Sequence, residues 1–475
     1  MTFRFSSFSK DTFVYGIGSL FSRLFAFFLI PFYIQSLGSE FYSNVVILQL
    51  VFTFVSYFLA LNSGVFYYYY EPKFIESRST IFSSWILYQF IFLFLAIPFF
   101  YLNWHVFDFL FYIPKGMSGL IQESFFYMLL SLVPYVINTT YYNFYRIERK
   151  PGNAVIITLL EALLSFVFIF YLVNRGLSIK GVFLGIFIGR LLTSVVSFII
   201  SKNLIKLDQF SFTTIKRLMA YSWPYLLISV FYWIISHIDK FIGTQLLSNR
   251  NDVAVLAFTS QITLPIVVLV DVIRQAFGPY VMSIRGESNS VKHYSELFSF
   301  VVYITFIASA LLLVIAPYLI KILANDQFIS AMVIFPLLVG SSVLGLVSNQ
   351  LSLGLNLVRK NQYIAMAVIF GGVIGIVSNN YFQLWWGVVG AGWAQLVSYL
   401  IVTGLIYWKS NKYYKIEYDW KWILKMTIYF LLFIGIYAYL VFSQAYSELF
   451  WKLPILGVGF VLLMMFDLKR LFKKN

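Results

Sequence analysis

The sequence contains no cysteine and very little charge. Asp, Glu, Lys and Arg together make up 11% of its 475 residues, and hydrophobic residues make up 60%. A soluble domain has about 25% charged residues. The absence of cysteine excludes disulfides and thiolate metal sites. The scarcity of charge means that this chain cannot cover a folded surface in water, so we expect lipid to be its solvent.

The sequence also lacks metal-binding histidine motifs and nucleotide-binding motifs. The three histidines, His105, His237 and His293, lie far apart and lack the spacing of a metal site. No glycine-rich phosphate loop is followed by Lys and Ser or Thr, which excludes an ATPase of that type. We therefore expect no metal, no bound cofactor and no enzymatic activity.

Long apolar runs are the main feature that is present, and the mean hydropathy is +0.83. Many runs approach the roughly 20 residues that a helix needs to cross hydrocarbon, and they lack the alternation of β-barrel strands. The sequence thus predicts an all-α polytopic membrane protein with about fourteen transmembrane helices. The predicted spans are 12–35, 43–70, 81–102, 118–142, 154–173, 181–200, 221–243, 253–282, 295–316, 329–357, 363–382, 387–408, 422–442 and 453–468.

The net charge of +15 is spread over small groups between the apolar runs. This distribution is typical of membrane topology signals and does not indicate a nucleic-acid partner. With the N-terminus in the cytoplasm, basic residues favour the cytoplasmic loops by nearly four to one. The opposite loops hold only Lys115, Arg175, Lys180, Arg250, Lys321 and Lys452. Both termini are therefore predicted to be cytoplasmic, and the short outer loops leave little room for a catalytic domain.

The first twelve predicted spans divide into two groups of six. The basic segment "SKNLIKLDQFSFTTIKRLMAYS" lies between them, and spans 1 and 7 begin similarly. Two related halves with the substrate between them are common in transporters. The predicted organisation is an N-terminal lobe at 1–200, a cytoplasmic linker at 201–220, a C-terminal lobe at 221–408, and two appended helices with a cytoplasmic tail at 409–475.

A few ionisable residues lie within the predicted spans, where such groups usually face a bundle interior or a watery cavity. The cations are Arg23, Arg190, Lys240 and Arg274, with Lys425 close enough to a helix start to reach the interface. The anions are Glu161, Asp239 and Asp271. Cations exceed anions, so pairing alone cannot neutralise them all, and an anionic substrate can.

Structural alternatives remain open for most of these groups. Asp271 and Arg274 are three residues apart on one helix face and can neutralise each other. Asp239 and Lys240 are neighbours near the predicted periplasmic end of span 7, where water is close. Glu161 can pair with either Arg190 or Arg23. The same three carboxylates are the candidates for coupling to a proton or sodium gradient.

Two stretches carry a resemblance to a known family. The first is "KDTFVYGIGSLFSRLFAFFLIPFYIQSLGSEFYSN", in which Ile30, Pro31 and Tyr33 end the first span and Ser43 follows Tyr42. The second is "HIDKFIG", residues 237–243, followed by "AF" at 257–258. These stretches resemble bacterial O-antigen and polysaccharide flippases of the multidrug/oligosaccharidyl-lipid/polysaccharide exporter superfamily. Ser43, Ala257 and Phe258 depart from that family's usual glycine and Gly-x-Tyr.

The resemblance implies a V-shaped exporter fold of two six-helix lobes plus two C-terminal helices. It also implies that an undecaprenyl-pyrophosphate-linked oligosaccharide is moved from the cytoplasmic to the periplasmic leaflet of the bacterial inner membrane, for O-antigen, lipopolysaccharide or another surface polysaccharide. Other polysaccharide-assembly proteins are implied partners. On this interpretation Arg23, Arg190, Lys240 and Arg274 bind the diphosphate, because fixed positive charge attracts it strongly in a low-dielectric region.

Three other interpretations remain. A lipid II flippase of peptidoglycan synthesis shares the fourteen-helix plan and a Ser-Arg pair in span 1, here Ser22 and Arg23. A drug or cation antiporter of the same superfamily is disfavoured by the excess of internal cations. A membrane polysaccharide polymerase or ligase typically needs a large periplasmic loop, which the predicted topology lacks.

Overall fold

A computed structural model describes the backbone of most of the chain, and every regular element among the described residues is a helix. The described residues are 5–69, 76–106, 111, 117–148, 150–201, 206–247, 249–269, 289–323, 328, 330–443 and 446–473. The chain divides into two compact units, Met1–Ala254 and Val255–Asn475. The all-α class predicted from the sequence is confirmed, while the predicted lobe boundaries stay a prediction.

The first unit contains nine complete α-helices in its described part, beside short 3-10 and π-helical segments. They are α1 Phe5–Leu37, α2 Ser39–Ala60, α3 Asn62–Tyr69, α4 Arg78–Leu102, α5 Ser118–Leu130, α6 Leu132–Ile147, α7 Pro151–Leu172, α8 Ser178–Ser201 and α9 Phe212–Leu246. Helix α10, Arg250–Ile262, continues from the first unit into the second. The remaining helices are α11 Ser290–Leu323, α12 Ala331–Leu351, α13 Leu353–Leu357, α14 Asn361–Tyr413, α15 Trp420–Phe442 and α16 Tyr446–Lys473.

Ten helical segments of the described chain are long and apolar enough to cross a membrane. Shorter apolar stretches lie at Leu24–Leu37 and Trp451–Met464. Two of the ten segments, Pro151–Ile200 and Asn361–Tyr413, have 50 and 53 residues. A straight helix of that length would measure about 75 Å, more than twice the hydrocarbon thickness. The predicted number of about fourteen helices stays a prediction.

Both of these long segments turn back on themselves at a glycine with positive φ. Gly176 has φ 86° and Gly387 has φ 55°, values that only glycine adopts without strain. After the turn at Gly387, the two ends of α14 meet again, because the Tyr363 and Tyr413 rings are 5.0 Å apart. Each segment is therefore a helical hairpin.

The α7–α8 hairpin is packed through three glycines spaced four apart on α8. A Cβ at Gly185 would lie 2.6 Å from the backbone nitrogen of Ile169, and one at Gly189 would lie 2.4 Å from that of Ser165. Gly181 approaches Leu172 and Val173 in the same way. Small residues at such spacing let membrane helices approach closely. This packing holds Glu161 on α7 and Arg190 on α8 in neighbouring turns.

Some predicted spans differ from the helices. The predicted span 43–70 is divided at Leu61, whose φ of 42° ends α2 in the left-handed region before α3 begins. The predicted span 118–142 is divided at Ser131, three residues before Pro134, which has no N–H to continue the ladder. Helix α9 begins earlier than predicted, because Ser211 accepts a hydrogen bond from the Thr214 N–H as a helix cap.

Helix α9 packs within the first unit. Leu218, Leu226 and Val230 of α9 join a buried cluster with Tyr68 and Trp85. The linker before α9 is held by α4, since the Lys206 and Ser211 N–H groups donate to the hydroxyls of Ser83 and Ser84 at 2.9 and 3.0 Å. These contacts attach the beginning of the predicted second half to α3 and α4.

Candidate functional site

Arg190 and Glu161 form an ion pair inside the first unit. The Arg190 Nε donates to Glu161 Oε1 at 3.0 Å, and the two side chains are 15% and 23% exposed. The same guanidinium donates through Nη1 to the Ser131 hydroxyl at 3.1 Å. Of the two arginines open to Glu161 from the sequence, Arg190 is a partner in the structure, and the side chain of Arg23 lies outside the described part.

Asn138 links the two members of this pair. Its Nδ2 donates to Glu161 Oε2 at 3.0 Å and to the backbone carbonyl of Arg190 at 3.2 Å. Its Oδ1 accepts from the Ser197 hydroxyl at 3.4 Å. Asn138 is 2% exposed. Helices α5 to α8 therefore meet in one hydrogen-bonded network, which we call the Arg190 network: Ser131, Asn138, Glu161, Arg190 and Ser197.

Aromatic rings cover the guanidinium of Arg190. Its Cζ lies 4.1 Å from the centroid of Phe52 and 5.3 Å from that of Tyr135. The two rings contact each other edge to face at 5.2 Å. An arginine over aromatic faces at these distances is stabilised by the ring quadrupoles. Arg190 is thus held by one carboxylate, one hydroxyl and two rings, and further N–H groups of its guanidinium are not engaged by described residues.

Asp239 and Lys240 form a second ion pair, on α9. Lys240 Nζ donates to both carboxylate oxygens of Asp239 at 3.1 Å. The side chains are 1% and 2% exposed, so the expectation that water lies close to this pair is wrong. Consecutive helix residues do not normally face each other, and the long lysine stem folds back to reach its neighbour. Burial of two charges is tolerated because each neutralises the other.

The other predicted site residues lie outside what the structure describes. Position 23 belongs to α1, but the side chain of Arg23 is outside the described part, as are residues Asp271 and Arg274. Helix α1 packs against α7, where Phe25 and Phe32 contact Phe166 and Phe170 at 5.5 and 5.0 Å. A diphosphate-binding role for Arg23, Arg190, Lys240 and Arg274 stays a prediction.

Comparison with known proteins places the chain in a family. A family model described as "Polysaccharide biosynthesis protein" matches residues 79–333, more than half of the chain. The chain belongs to this polysaccharide biosynthesis family. The match covers both described ion pairs. A comparison with curated proteins gives no match.

Solved structures of transporters share the fold of this family member. One is "Lipid II flippase MurJ, inward closed conformation", with a TM-score of 0.72, 13% identity, and coverage of 96% of this chain and 99% of that chain. Another is an outward-facing multidrug resistance MATE family transporter of the MOP superfamily, with a TM-score of 0.63, 15% identity, and coverage of 85% and 95%. An inward-facing MATE transporter gives 0.64, 16%, 82% and 95%. The chain therefore shares the fold of these transporters, as predicted, while the V-shaped arrangement of two six-helix lobes stays a prediction.

The polysaccharide biosynthesis chain has functional candidates that the sequence did not single out. The Arg190 network has three neutral members, Ser131, Asn138 and Ser197, and a search for charged residues inside the spans does not find Ser131 or Asn138. Their separation of seven residues, about two helical turns, was the available signal. Glu76 was not marked either, and its carboxylate accepts from Tyr68, Thr214 and Arg217 at 2.7, 3.2 and 3.1 Å.

Proposed function

We propose that this protein flips an undecaprenyl-pyrophosphate-linked oligosaccharide from the cytoplasmic to the periplasmic leaflet. The observation that carries the proposal is the combination of a polysaccharide biosynthesis family match with a transporter fold along 96% of the chain. A transporter fold favours transport over catalysis. The setting would be the bacterial inner membrane with both termini cytoplasmic, and the product an O-antigen, lipopolysaccharide or other surface glycan.

The diphosphate is the part of such a substrate that most needs the protein. Hydrocarbon strongly disfavours charge, and a fixed cation offsets that cost more effectively there than in water. Arginine additionally offers parallel N–H groups that match phosphate oxygens. Arg190 and Lys240 already have carboxylate partners at 3.0 and 3.1 Å. In our proposal the diphosphate meets Arg23 and Arg274 as well, and shares Arg190 and Lys240 with those carboxylates.

Arg23 gives the direct test. We expect Arg23→Gln to abolish surface glycan in a flippase-deficient strain while membrane abundance is unchanged, since removing a charge lowers the insertion penalty. Arg23→Lys retains the charge without the bidentate geometry and should keep part of the activity. Arg175→Gln, in the α7–α8 turn, is the matched control and should leave glycan unchanged. Normal glycan from an abundant Arg23→Gln protein would defeat the proposal.

The energy source in this proposal is an ion gradient. Glu161, Asp239 and Asp271 are the coupling candidates, and the first two are engaged with Arg190 and Lys240. Protonating either carboxylate would release its cation to the diphosphate. Export in vesicles should therefore lose its dependence on proton or sodium gradient when all three are neutralised. Retained ion dependence in that triple variant would exclude coupling through them.

Lipid II transport is the second candidate, and the extent of the structural similarity to MurJ favours it. That similarity is one of fold, because the identity is 13%. The discriminating test is rescue of a strain depleted of its lipid II flippase, run beside rescue of a strain that lacks a polysaccharide flippase. We expect rescue of the second strain. Rescue of the first strain alone would transfer the proposal to peptidoglycan synthesis.

A further inference from the structure

Two tyrosines contact each other where the two arms of the α14 hairpin begin and end. The Tyr363 and Tyr413 rings are stacked at 5.0 Å with an interplanar angle of 23°, and the Tyr413 hydroxyl donates to that of Tyr363 at 2.6 Å. The two residues are 50 positions apart, at the beginning and the end of the hairpin. This contact fixes the position of two hydroxyl groups at the end of an apolar segment.

Two lysines lie near the rings of this tyrosine pair, each close to the tyrosine of the opposite hairpin arm. Lys360 Nζ lies 5.8 Å from the centroid of Tyr413, on the opposite arm, and Lys409 Nζ lies 5.1 Å from that of Tyr363. Lys409 also lies 4.2 Å above the ring of Trp408. Aromatic faces therefore hold both cations near one pair of hydroxyls. We call these five residues the lysine–tyrosine cluster.

The positive charge of the cluster has no anionic partner in the part of the chain that the structure describes. Among the described residues, no carboxylate lies within 4.0 Å of Lys360, Lys409 or the nearby Lys412. By contrast, Lys415 just beyond the hairpin is within 4.0 Å of Glu417. Cations that the protein positions but does not neutralise are ready to receive an external anion.

The position of the cluster relative to the membrane indicates which kind of anion it binds. Trp408 is 58% exposed and ends the apolar run of the second hairpin arm. Tryptophan at a helix end belongs at the level of the lipid headgroups. The positive-inside pattern predicts that this end is cytoplasmic, and the cytoplasmic leaflet carries anionic lipids that attract juxtamembrane lysines.

We propose that the lysine–tyrosine cluster binds the phosphate of an anionic phospholipid of the cytoplasmic leaflet. Lys360 and Lys409 supply the charge, and the Tyr363 hydroxyl, which accepts from Tyr413, supplies a hydrogen bond. Trp408 packs beside the glycerol and upper acyl region. This binding site is independent of the transported substrate, and its test does not measure transport.

The test measures phosphatidylglycerol binding to the purified full chain in detergent. A juxtamembrane lysine contributes about 1 kcal/mol near an anionic surface, so each Lys→Gln change should weaken binding about five-fold. Lys360→Gln/Lys409→Gln together should weaken it about twenty-five-fold. Lys415→Gln/Lys421→Gln removes the same charge from the same end and should change binding less than about two-fold. Lys360→Arg/Lys409→Arg should retain most of the binding and shows that the fold is intact.

Three results would overturn the proposal. One is an equal loss of binding in Lys360→Gln/Lys409→Gln and in Lys415→Gln/Lys421→Gln, which would mean that the lipid responds to the overall positive charge and not to a specific site. Another is displacement of phosphatidylglycerol by millimolar inorganic phosphate, which would mean a free-phosphate site. The third is a polyprenyl diphosphate that binds the cluster more tightly than phosphatidylglycerol and loses affinity in Lys360→Gln/Lys409→Gln, which would mean a substrate entry site. Phosphatidylcholine should bind equally to all variants.

Discussion

At the scale of single residues, the Arg190 network combines an ion pair with neutral hydrogen-bonding groups. A partly buried charge is tolerated when its partner and the remaining polar atoms are satisfied. Asn138 meets this condition for Glu161, since it bonds the second carboxylate oxygen and also the backbone carbonyl of Arg190, while further guanidinium N–H groups of Arg190 are not engaged by described residues. The network therefore explains how α5 to α8 hold two charges in an apolar environment. The contribution of the ion pair to stability can therefore be tested by removing one charge or both.

Removing one member of the pair tests how much the pair contributes to the stability of the protein. Glu161→Gln leaves the Arg190 guanidinium without its anion, and we expect a loss of about 1–3 kcal/mol in the free energy of unfolding. Glu161→Gln/Arg190→Met removes both charges and should recover most of that loss. The measurement is the thermal unfolding midpoint in detergent. If the double variant is no more stable than Glu161→Gln, the pair is not what stabilises this region.

The pairing of these residues was only partly predictable from sequence. The sequence identifies Arg190 and Glu161 as unusual because charge is rare in apolar runs. It does not choose between Arg190 and Arg23 as partner of Glu161, since that choice depends on how α7 packs on α8. Asn138 has no charge to mark it. Burial of Asp239 and Lys240 was not predictable either, because it depends on neighbouring helices.

At the scale of elements, the α7–α8 hairpin depends on glycines whose hydrogen atoms face backbone. Replacing Gly185 by Ala places a methyl group 2.6 Å from the Ile169 nitrogen, so the helices must separate. We expect a loss of about 1–3 kcal/mol for this overpacking. Gly404→Ala is the matched control, because nothing lies within 4 Å of its Cβ position. There a higher helix propensity should leave stability unchanged or raise it by up to about 1 kcal/mol.

The measurement for these two variants is again the thermal unfolding midpoint in detergent. A lower midpoint for Gly185→Ala with no decrease for Gly404→Ala is the expected result. Equal decreases would contradict a specific role of close helix contact at Gly185.

Glu76 connects α3 with the beginning of α9 through Tyr68, Thr214 and Arg217. We expect Glu76→Ala to accelerate hydrogen exchange of the backbone amides in residues 212–222, because the first turns of α9 lose their bonds to this carboxylate. Glu148→Ala is the control. Glu148 has the same 15% exposure and also pairs with an arginine, Arg78, but that contact does not involve α9. Equal acceleration in both variants would contradict a specific role for Glu76.

The elements were more predictable than the residue contacts. The predicted spans 154–173 and 181–200 agree with α7 and α8, because a glycine and charges in the stretch "NRGLSIKG" interrupt two apolar runs. The predicted span 43–70 runs through a similar signal, since Asn62, Ser63 and Gly64 directly follow the break at Leu61. What the sequence does not indicate is the φ of 42° at Leu61, a value that leucine rarely adopts. The extension of α9 into the predicted linker depends on tertiary contacts with α3 and α4.

At the scale of the whole molecule, the asymmetry of basic residues predicts the orientation of each helical hairpin in the membrane. The turns at Gly176 and Gly387 lie at ends that the positive-inside pattern assigns to the periplasm. The open end of the α14 hairpin, with Lys360 and Lys409, lies at the end it assigns to the cytoplasm. Because a hairpin returns the chain to its starting side, each one contributes two crossings and preserves the orientation of the next helix.

Topology is testable directly because the chain has no cysteine. A membrane-impermeant thiol reagent added to spheroplasts should label single cysteines at Asn174 and near Gly387, and should spare cysteines at Lys412 and Asn475. Permeabilised cells provide the control, since all four positions should then react.

A reporter fused near Arg250 should give an outside signal, and one fused at Asn475 an inside signal, which requires an odd number of crossings between them. Outside labelling at Lys412 would reverse the predicted orientation and would also remove the cytoplasmic leaflet as the source of the lipid at the lysine–tyrosine cluster.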